Sequence, residues 1–179
     1  MEALLALARL IDRINNGFGV IAAVAALASC FISAGNALVR YGMDISSNAF
    51  LEIQWYLFAA CVMLGAGQVL RLNEHVRVDL VYGRISARAK AWVDLLGILF
   101  FLLPVMLYCG WLSWDFFVDK FASGEVSSSA GGLIRWPAAL MLPLGFALVS
   151  LQGVAELIKR AAWLAHRLEM DLGYERPLQ

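Results

Sequence analysis

Charged side chains are scarce in this sequence, and neither sign is in excess. Only 16% of the 179 residues are charged and 61% are hydrophobic, whereas an ordinary soluble domain is about a quarter charged and nearer half apolar. The formal net charge of zero argues against a nucleic-acid partner, which would need a basic surplus. Because the apolar residues are bunched into long runs, the composition indicates a membrane protein.

Cysteine and histidine are also rare. Cys30, Cys61 and Cys109 all lie inside apolar runs without a CxxC spacing, so disulfides and metal sites find little support. His75 and His166 fall outside those runs, whereas a haem-carrying membrane anchor would normally place histidine ligands within its helices. We find no Ser/His/Asp set, metal-ligand spacing or phosphate loop in the sequence. We therefore predict no catalytic, substrate-binding or metal site and no cofactor, and expect no enzyme.

Four apolar runs are long enough to cross a membrane. A helix needs roughly 20 apolar residues to span a hydrocarbon core of about 30 Å, and in lipid only a helix or a closed barrel satisfies its own backbone. A barrel is disfavoured because the runs do not alternate apolar and polar residues. The sequence predicts an all-α membrane protein in a single domain, with transmembrane helices over residues 18–39, 53–70, 91–114 and 133–158.

The basic residues are distributed unevenly around these runs. Eleven of the fourteen lie before the first run, between the second and third, or after the fourth, and three lie in the other two loops. By the positive-inside rule, both termini therefore face the cytoplasm. This orientation makes residues 71–90 a cytoplasmic loop, 115–132 a periplasmic loop and 159–179 a cytoplasmic tail.

Residues 1–16 carry an amphipathic pattern. Leu4, Leu7, Ile11 and Ile14 share one helical face, and the charged residues lie elsewhere. This pattern predicts a helix lying on the membrane surface. A plain cytoplasmic lead-in to the first run is the alternative.

The stretch RLNEHVRVDL, residues 71–80, places acids among bases between the second and third runs. A basic loop that only fixes topology is one interpretation, yet acidic residues contribute little to orientation. The other interpretation is a structured cytoplasmic loop, in which Asn73 caps a short helix, Gly83 ends it, and Ser86 caps the helix entering the third run.

Ionisable residues are nearly absent from the interior of the runs. Glu52, Asp94 and Glu156 all lie near run ends, where an interfacial placement explains them. The middle of the bilayer therefore lacks the acids and bases that a self-sufficient ion-coupled transporter uses. Uncharged polar and small residues within the runs favour contacts between helices through hydrogen bonds and close approach, among them Asn36, Gln54, Gln68, Ser113 and Gln152.

Three segments carry a resemblance to a known family. They are LEIQWYLFAACVMLGAG from Leu51, RLNEHVRVDLVYGRISAR from Arg71, and SSSAGGLIRWPAALMLPLGF before the last run. In these segments and in its layout, the chain resembles the small, four-helix DctQ-like membrane subunit of tripartite ATP-independent periplasmic (TRAP) transporters. The core from His75 to Asp79 is the most specific of the matching pieces.

The resemblance implies a mechanism in which this chain performs no transport chemistry. In similar systems a periplasmic binding protein captures a carboxylate-bearing solute, and a large multi-span subunit moves it by a sodium-driven elevator motion. The small subunit braces the large one in the bacterial inner membrane. We accordingly expect the large subunit, the binding protein and membrane lipids as partners.

The same resemblance implies two sets of contact residues. The expected interface with the large subunit consists of Glu52, Gln54, Trp55, Gln68, His75, Val76, Arg77, Val78, Asp79 and Leu80. The expected contacts with the binding protein are Asp119, Lys120, Glu125, Arg135 and Trp136.

Two rival functions remain open on the sequence. A self-contained four-helix exporter acting as a homo-oligomer would need an essential carboxylate in the membrane, and only Glu52 or Asp94 is placed to serve. A membrane enzyme or redox anchor would need ligand or catalytic clusters in the bundle or at its rim, which the sequence lacks.

Overall fold

Four long helices make up the fold. The computed structural model describes residues 1–44, 47–74, 85–129 and 131–168. Within these ranges the helices are α1 (Glu2–Met43), α2 (Asn48–Leu72), α3 (Ala87–Ser123) and α4 (Trp136–Leu164), and each is long and apolar enough to cross a membrane. Extended structure in the described ranges is limited to one bridge between Val126 and Ile134. The predicted all-α fold with four membrane-spanning helices is confirmed.

Local signals set several helix ends. The Ser86 side chain accepts a hydrogen bond from the Ala89 amide at 3.3 Å, so the predicted cap of the third spanning helix is confirmed. Asn73 adopts a left-handed conformation with φ 61° and ends α2, and the Glu74 amide donates back to the Val69 carbonyl. Asn73 is thus observed at the end of α2, and the loop helix that it was expected to cap, including the end at Gly83, lies outside the described residues.

The amphipathic segment and the first apolar run form one continuous helix, α1. Of the predicted apolar face, Ile11 is buried, whereas Leu4, Leu7 and Ile14 are exposed. Ile11 and Ala8 belong to a small apolar cluster with Ala155 of α4. The amino-terminal turns of α1 therefore dock along the carboxyl-terminal half of α4.

Helix α4 lies at the centre of the bundle. It packs against α1, α2 and α3, and it has the largest buried share of the four helices. Small residues allow the close approach. A Cβ atom at Gly145 would lie 2.6 Å from the Cβ of Met63 on α2 and 2.8 Å from the Met63 carbonyl oxygen. Close backbone contact of this kind is how helices associate in lipid, where apolar burial adds little.

Helix α3 is irregular near its middle. Residues Ile98–Leu102 form a π-helical turn, and Pro104 follows two residues after its end. Because proline has no N–H group, it cannot continue the helical hydrogen-bond ladder, and such positions are common sites of local rewinding. Gly153 of α4 faces this turn through Leu102 and Leu103, so the widened turn packs against the central helix.

The tight crossing at Gly145 gives a direct test of the packing. We expect Gly145→Ala to destabilise the protein by about 1–3 kcal/mol, because the added Cβ meets backbone that cannot move aside independently. Thermal unfolding in detergent measures the change. Gly110→Ala is the matched control, since its Cβ would lie at an ordinary 3.5 Å from Phe146. Equal stability of the two variants would contradict the close α2–α4 contact.

Candidate functional site

A polar cluster closes the end of the bundle opposite the chain termini, and we call it the outer cap because the basic residues predict that this end faces outward. The Glu52 carboxylate on α2 accepts hydrogen bonds from the Ser127 hydroxyl and from the Leu133 amide, the latter at 2.8 Å. The Tyr56 hydroxyl donates to the Ile134 carbonyl at 3.2 Å. Glu52 is consequently 96% buried (4% exposed), and its charge holds the segment between α3 and α4 onto α2.

An ion triad extends the outer cap. The Glu125 carboxylate lies 2.5 Å from the Lys120 ammonium and 2.6 Å from the Arg135 guanidinium. These two cations, Lys120 first, hold the pKa of Glu125 below its usual range, so the carboxylate is charged at neutral pH. The Arg135 amide also donates to the Glu125 carbonyl at 2.9 Å, which joins the two ends of the segment between α3 and α4.

The other predicted binding-protein contacts surround this triad. Asp119 lies 3.3 Å from Lys120, and its side chain is 70% exposed. Trp136 packs edge-on against Phe121, with 5.6 Å between ring centroids. The structure therefore brings all five predicted residues, Asp119, Lys120, Glu125, Arg135 and Trp136, to the outer end of α3 and the start of α4.

The predicted large-subunit contacts divide into three groups. Trp55 is exposed, and Gln54 is half-buried with an amide nitrogen that has no hydrogen-bond partner among the described residues. Glu52 belongs to the outer cap, and Gln68 donates to Asn16 of α1 at 3.1 Å. The remaining six residues, His75, Val76, Arg77, Val78, Asp79 and Leu80, lie outside the described residues.

A second polar cluster lies at the opposite end of the bundle, and we call it the inner charge chain. It consists of Asp12, Lys159, Glu156, Arg160 and Asp94, in which each cation lies between two carboxylates. The Lys159 ammonium is 3.1 Å from Asp12 and 2.5 Å from Glu156. The Arg160 guanidinium contacts Glu156 and lies 3.1 Å from Asp94. The chain of charges therefore joins α1, α4 and α3.

Two buried amides continue the inner charge chain into the apolar core. The Gln152 amide nitrogen donates to Asp12 at 2.8 Å and to Glu156 at 3.0 Å. The Asn15 amide nitrogen donates to the Gln152 oxygen at 2.9 Å. Both side chains are fully buried. Buried polar groups are costly unless paired, and here both amide nitrogens donate hydrogen bonds, while the Asn15 oxygen has no partner among the described residues.

Part of this cluster was foreseeable from the sequence. Gln152, Glu156 and Arg160 recur at intervals of four on α4, which places them on one helical face. The sequence places Asp94 and Glu156 near the ends of two different apolar runs, and Asp12 and Lys159 outside the runs. Their pairing needed the positions of α1 and α3 around α4. Across the described ranges, no group of three His, Cys, Asp or Glu side chains is arranged to hold a metal ion.

The centre of the inner charge chain gives a second test. Glu156→Gln leaves Lys159 and Arg160 each with one carboxylate, and removing one member of a buried ionic group typically costs about 3–5 kcal/mol. We expect a loss near the lower end of that range, because glutamine still accepts from Gln152. Denaturant titration in detergent measures it.

Glu2→Gln serves as the control, since Glu2 is exposed in the first turn of α1. Unchanged stability of Glu156→Gln would show that the inner charge chain does not hold the helices together.

The sequence of the chain was compared with known proteins, solved structures and protein families. No curated protein and no solved structure matches the chain. A family model does match, over residues 29–162, and its description is "Tripartite ATP-independent periplasmic transporters, DctQ component". This range covers about three quarters of the chain. It contains about the last third of α1, all of α2 and α3, and nearly all of α4. The family is a transporter component and not an enzyme, and the chain belongs to it: the protein is a small membrane subunit of a TRAP transporter.

Proposed function

We propose that the chain braces the large membrane subunit of its transporter and leaves solute movement to that partner. The main support for this proposal is that the carboxylates near the ends of the apolar runs are already bonded to groups of this same chain. Glu52 is engaged by the outer cap, and Asp94 and Glu156 by the inner charge chain. Carboxylates already bonded within their own chain serve to hold helices in place.

The same contacts weigh against the exporter alternative. That function required Glu52 or Asp94 as an accessible carboxylate in the membrane. Glu52 is buried beneath Ser127 and Leu133, and Asp94 is bonded to Arg160. Membership of a family of transporter components points the same way.

A strip on α2 is the best-supported contact with the large subunit. Leu51, Trp55, Phe58 and Val62 follow a helical spacing and are all exposed, with Trp55 at 70%. Gln54 is half-buried and adjoins this strip on α2. We propose that this strip and the loop residues His75–Leu80 face the large subunit, while Glu52 and Gln68 hold α2 in position for the contact.

The outer cap supports a contact with the periplasmic binding protein. Its exposed charges, Asp119 and Arg135, lie beside an exposed apolar pair, Val126 and Ile134, on a segment fastened at several points. A rigid surface that mixes apolar and charged side chains suits recognition of another protein. We propose that this surface meets the binding protein on the outer side of a bacterial inner membrane, with both termini cytoplasmic as the basic residues indicate.

Sodium coupling and uptake of a small organic acid complete the proposal, and both are assigned to the partners. The charged side chains discussed above belong to the outer cap or to the inner charge chain, at opposite ends of the bundle, so among the described residues the region between these clusters offers no charged site to a coupling ion. The family match supports a transporter with several subunits. A brace of this kind affects uptake by holding the large subunit's stationary part.

The proposal predicts a specific sensitivity of the complex to Trp55. Buried interface tryptophans commonly contribute 2 kcal/mol or more, so Trp55→Ala should reduce recovery of the large subunit about tenfold or more and lower uptake in parallel. Pull-down from native membranes followed by quantitative mass spectrometry measures the first effect.

Trp111→Ala is the matched control, because Trp111 on α3 is similarly exposed, at 62%. The combined change His75→Ala, Arg77→Ala and Asp79→Ala tests the loop in the same assay. Full recovery of the large subunit with normal uptake in both the Trp55 and the loop variants would remove the proposed interface.

A further inference from the structure

One buried oxygen in this bundle has no conventional hydrogen-bond donor. Asn15 on α1 is fully buried, and its amide nitrogen donates to Gln152 on α4. Its amide oxygen, Oδ1, has no partner among the described residues. A buried acceptor left unpaired is costly, and such atoms are rare in native structures. The explanation lies in what this oxygen contacts.

The Asn15 oxygen contacts Gly67 of α2. An ideal Cβ atom on Gly67 would lie 2.0 Å from Asn15 Oδ1 and 2.8 Å from its Cγ, so the amide occupies the space that any larger side chain would need. Because a carbon–carbon bond is about 1.5 Å long, Oδ1 lies within about 3.5 Å of the Gly67 Cα atom. This separation is that of a weak Cα–H···O hydrogen bond, which recurs where two helices pack closely.

A second glycine repeats the arrangement in the opposite direction. An ideal Cβ atom on Gly19 of α1 would lie 1.7 Å from Oε1 of Gln68 on α2. The Gln68 amide nitrogen donates to Asn16 of α1 at 3.1 Å, which holds this side chain across the contact. Each of the two helices therefore presents a glycine to an amide oxygen of the other.

The inner charge chain fixes the direction in which the Asn15 amide points. The Gln152 nitrogen donates to Asp12 and Glu156, and it must face them because ionised carboxylates only accept hydrogen bonds. The Gln152 oxygen therefore faces Asn15 and accepts from its nitrogen at 2.9 Å. The Asn15 oxygen is left facing α2, so charges at the end of the bundle dictate which atom meets Gly67.

From these contacts we propose that Asn15 is a positioning residue for α2. Its oxygen receives the Gly67 Cα–H group and thereby fixes where α2 lies relative to α1 and α4. Helix α2 carries the exposed strip around Trp55, so the contact also sets where that strip is presented to the large subunit. This last consequence rests on the proposed bracing function, whereas the contact between Asn15 and Gly67 does not.

The test is a double-variant cycle in the full chain. Gly67→Ala places a methyl group against Asn15 Oδ1, and we expect it to lower the midpoint of thermal unfolding in detergent by about 5 °C or more. In the Asn15→Ala background the methyl group has space, so the same change should lower the midpoint by less than half as much. Asn15→Ser, whose hydroxyl can bond the Ile11 carbonyl, takes the place of Asn15→Ala where alanine prevents folding.

Two controls separate this contact from the general effects of alanine. Gly17 lies on α1 with nothing within 4 Å of an added Cβ, so Gly17→Ala should leave the midpoint unchanged or raise it slightly. Gly145→Ala brings its methyl group against Met63, so Asn15→Ala should not relieve its effect.

Recovery of the large subunit from native membranes is the second readout. Gly67→Ala should reduce this recovery severalfold, and adding Asn15→Ala should restore most of it, because α2 then regains its position. A loss that came only from lower stability would persist in the double variant.

Two thermal results would overturn the proposal: an equal effect of Gly67→Ala in both backgrounds, or no effect in either. Thermal coupling between the two residues, with full recovery of the large subunit in every variant, would support the positioning contact and contradict the proposed interface on α2.

Discussion

The inner charge chain is the interaction on which the rest of this bundle depends. Helices in lipid gain little from burying apolar surface, so other contacts must fix their positions. Asp12, Lys159, Glu156, Arg160 and Asp94 alternate in sign and bond α1, α4 and α3 together at one end of the bundle. Gln152 and Asn15 extend this polar contact into the core. With one end fixed in this way, the small residues of α4 can bring α2 into close contact along its length.

The outer cap fixes the opposite end by a different means. There, one buried carboxylate, Glu52, holds a connecting segment, and the triad around Glu125 stiffens that segment. In the two clusters, these charged side chains are bonded to one another or to the backbone. A transporter acting alone would need such charges for its solute or ion. The strip around Trp55 and part of the outer cap remain exposed, and these are the surfaces that we propose for contacts with the partner proteins.

The sequence was informative wherever structure follows from local residues. The four membrane helices follow from long apolar runs, and the Ser86 cap follows from a serine placed directly before a helix. The role of Glu52 could not be predicted from the sequence, because its partners Ser127 and Leu133 come from a distant part of the chain. The same holds for Asp12 and Lys159. The π-helical turn of α3 has no sequence signature beyond Pro104.

The most direct test of this account is the composition of the complex in its native membrane. The unmodified chain, carrying an affinity tag, would be solubilised gently, and every protein retained in stoichiometric amount would be identified by mass spectrometry. The account predicts one large, very hydrophobic multi-span protein bound to this chain in equal amount. Recovery of the chain alone, or only as a homo-oligomer, would contradict it and return Glu52 and Asp94 to consideration as functional carboxylates.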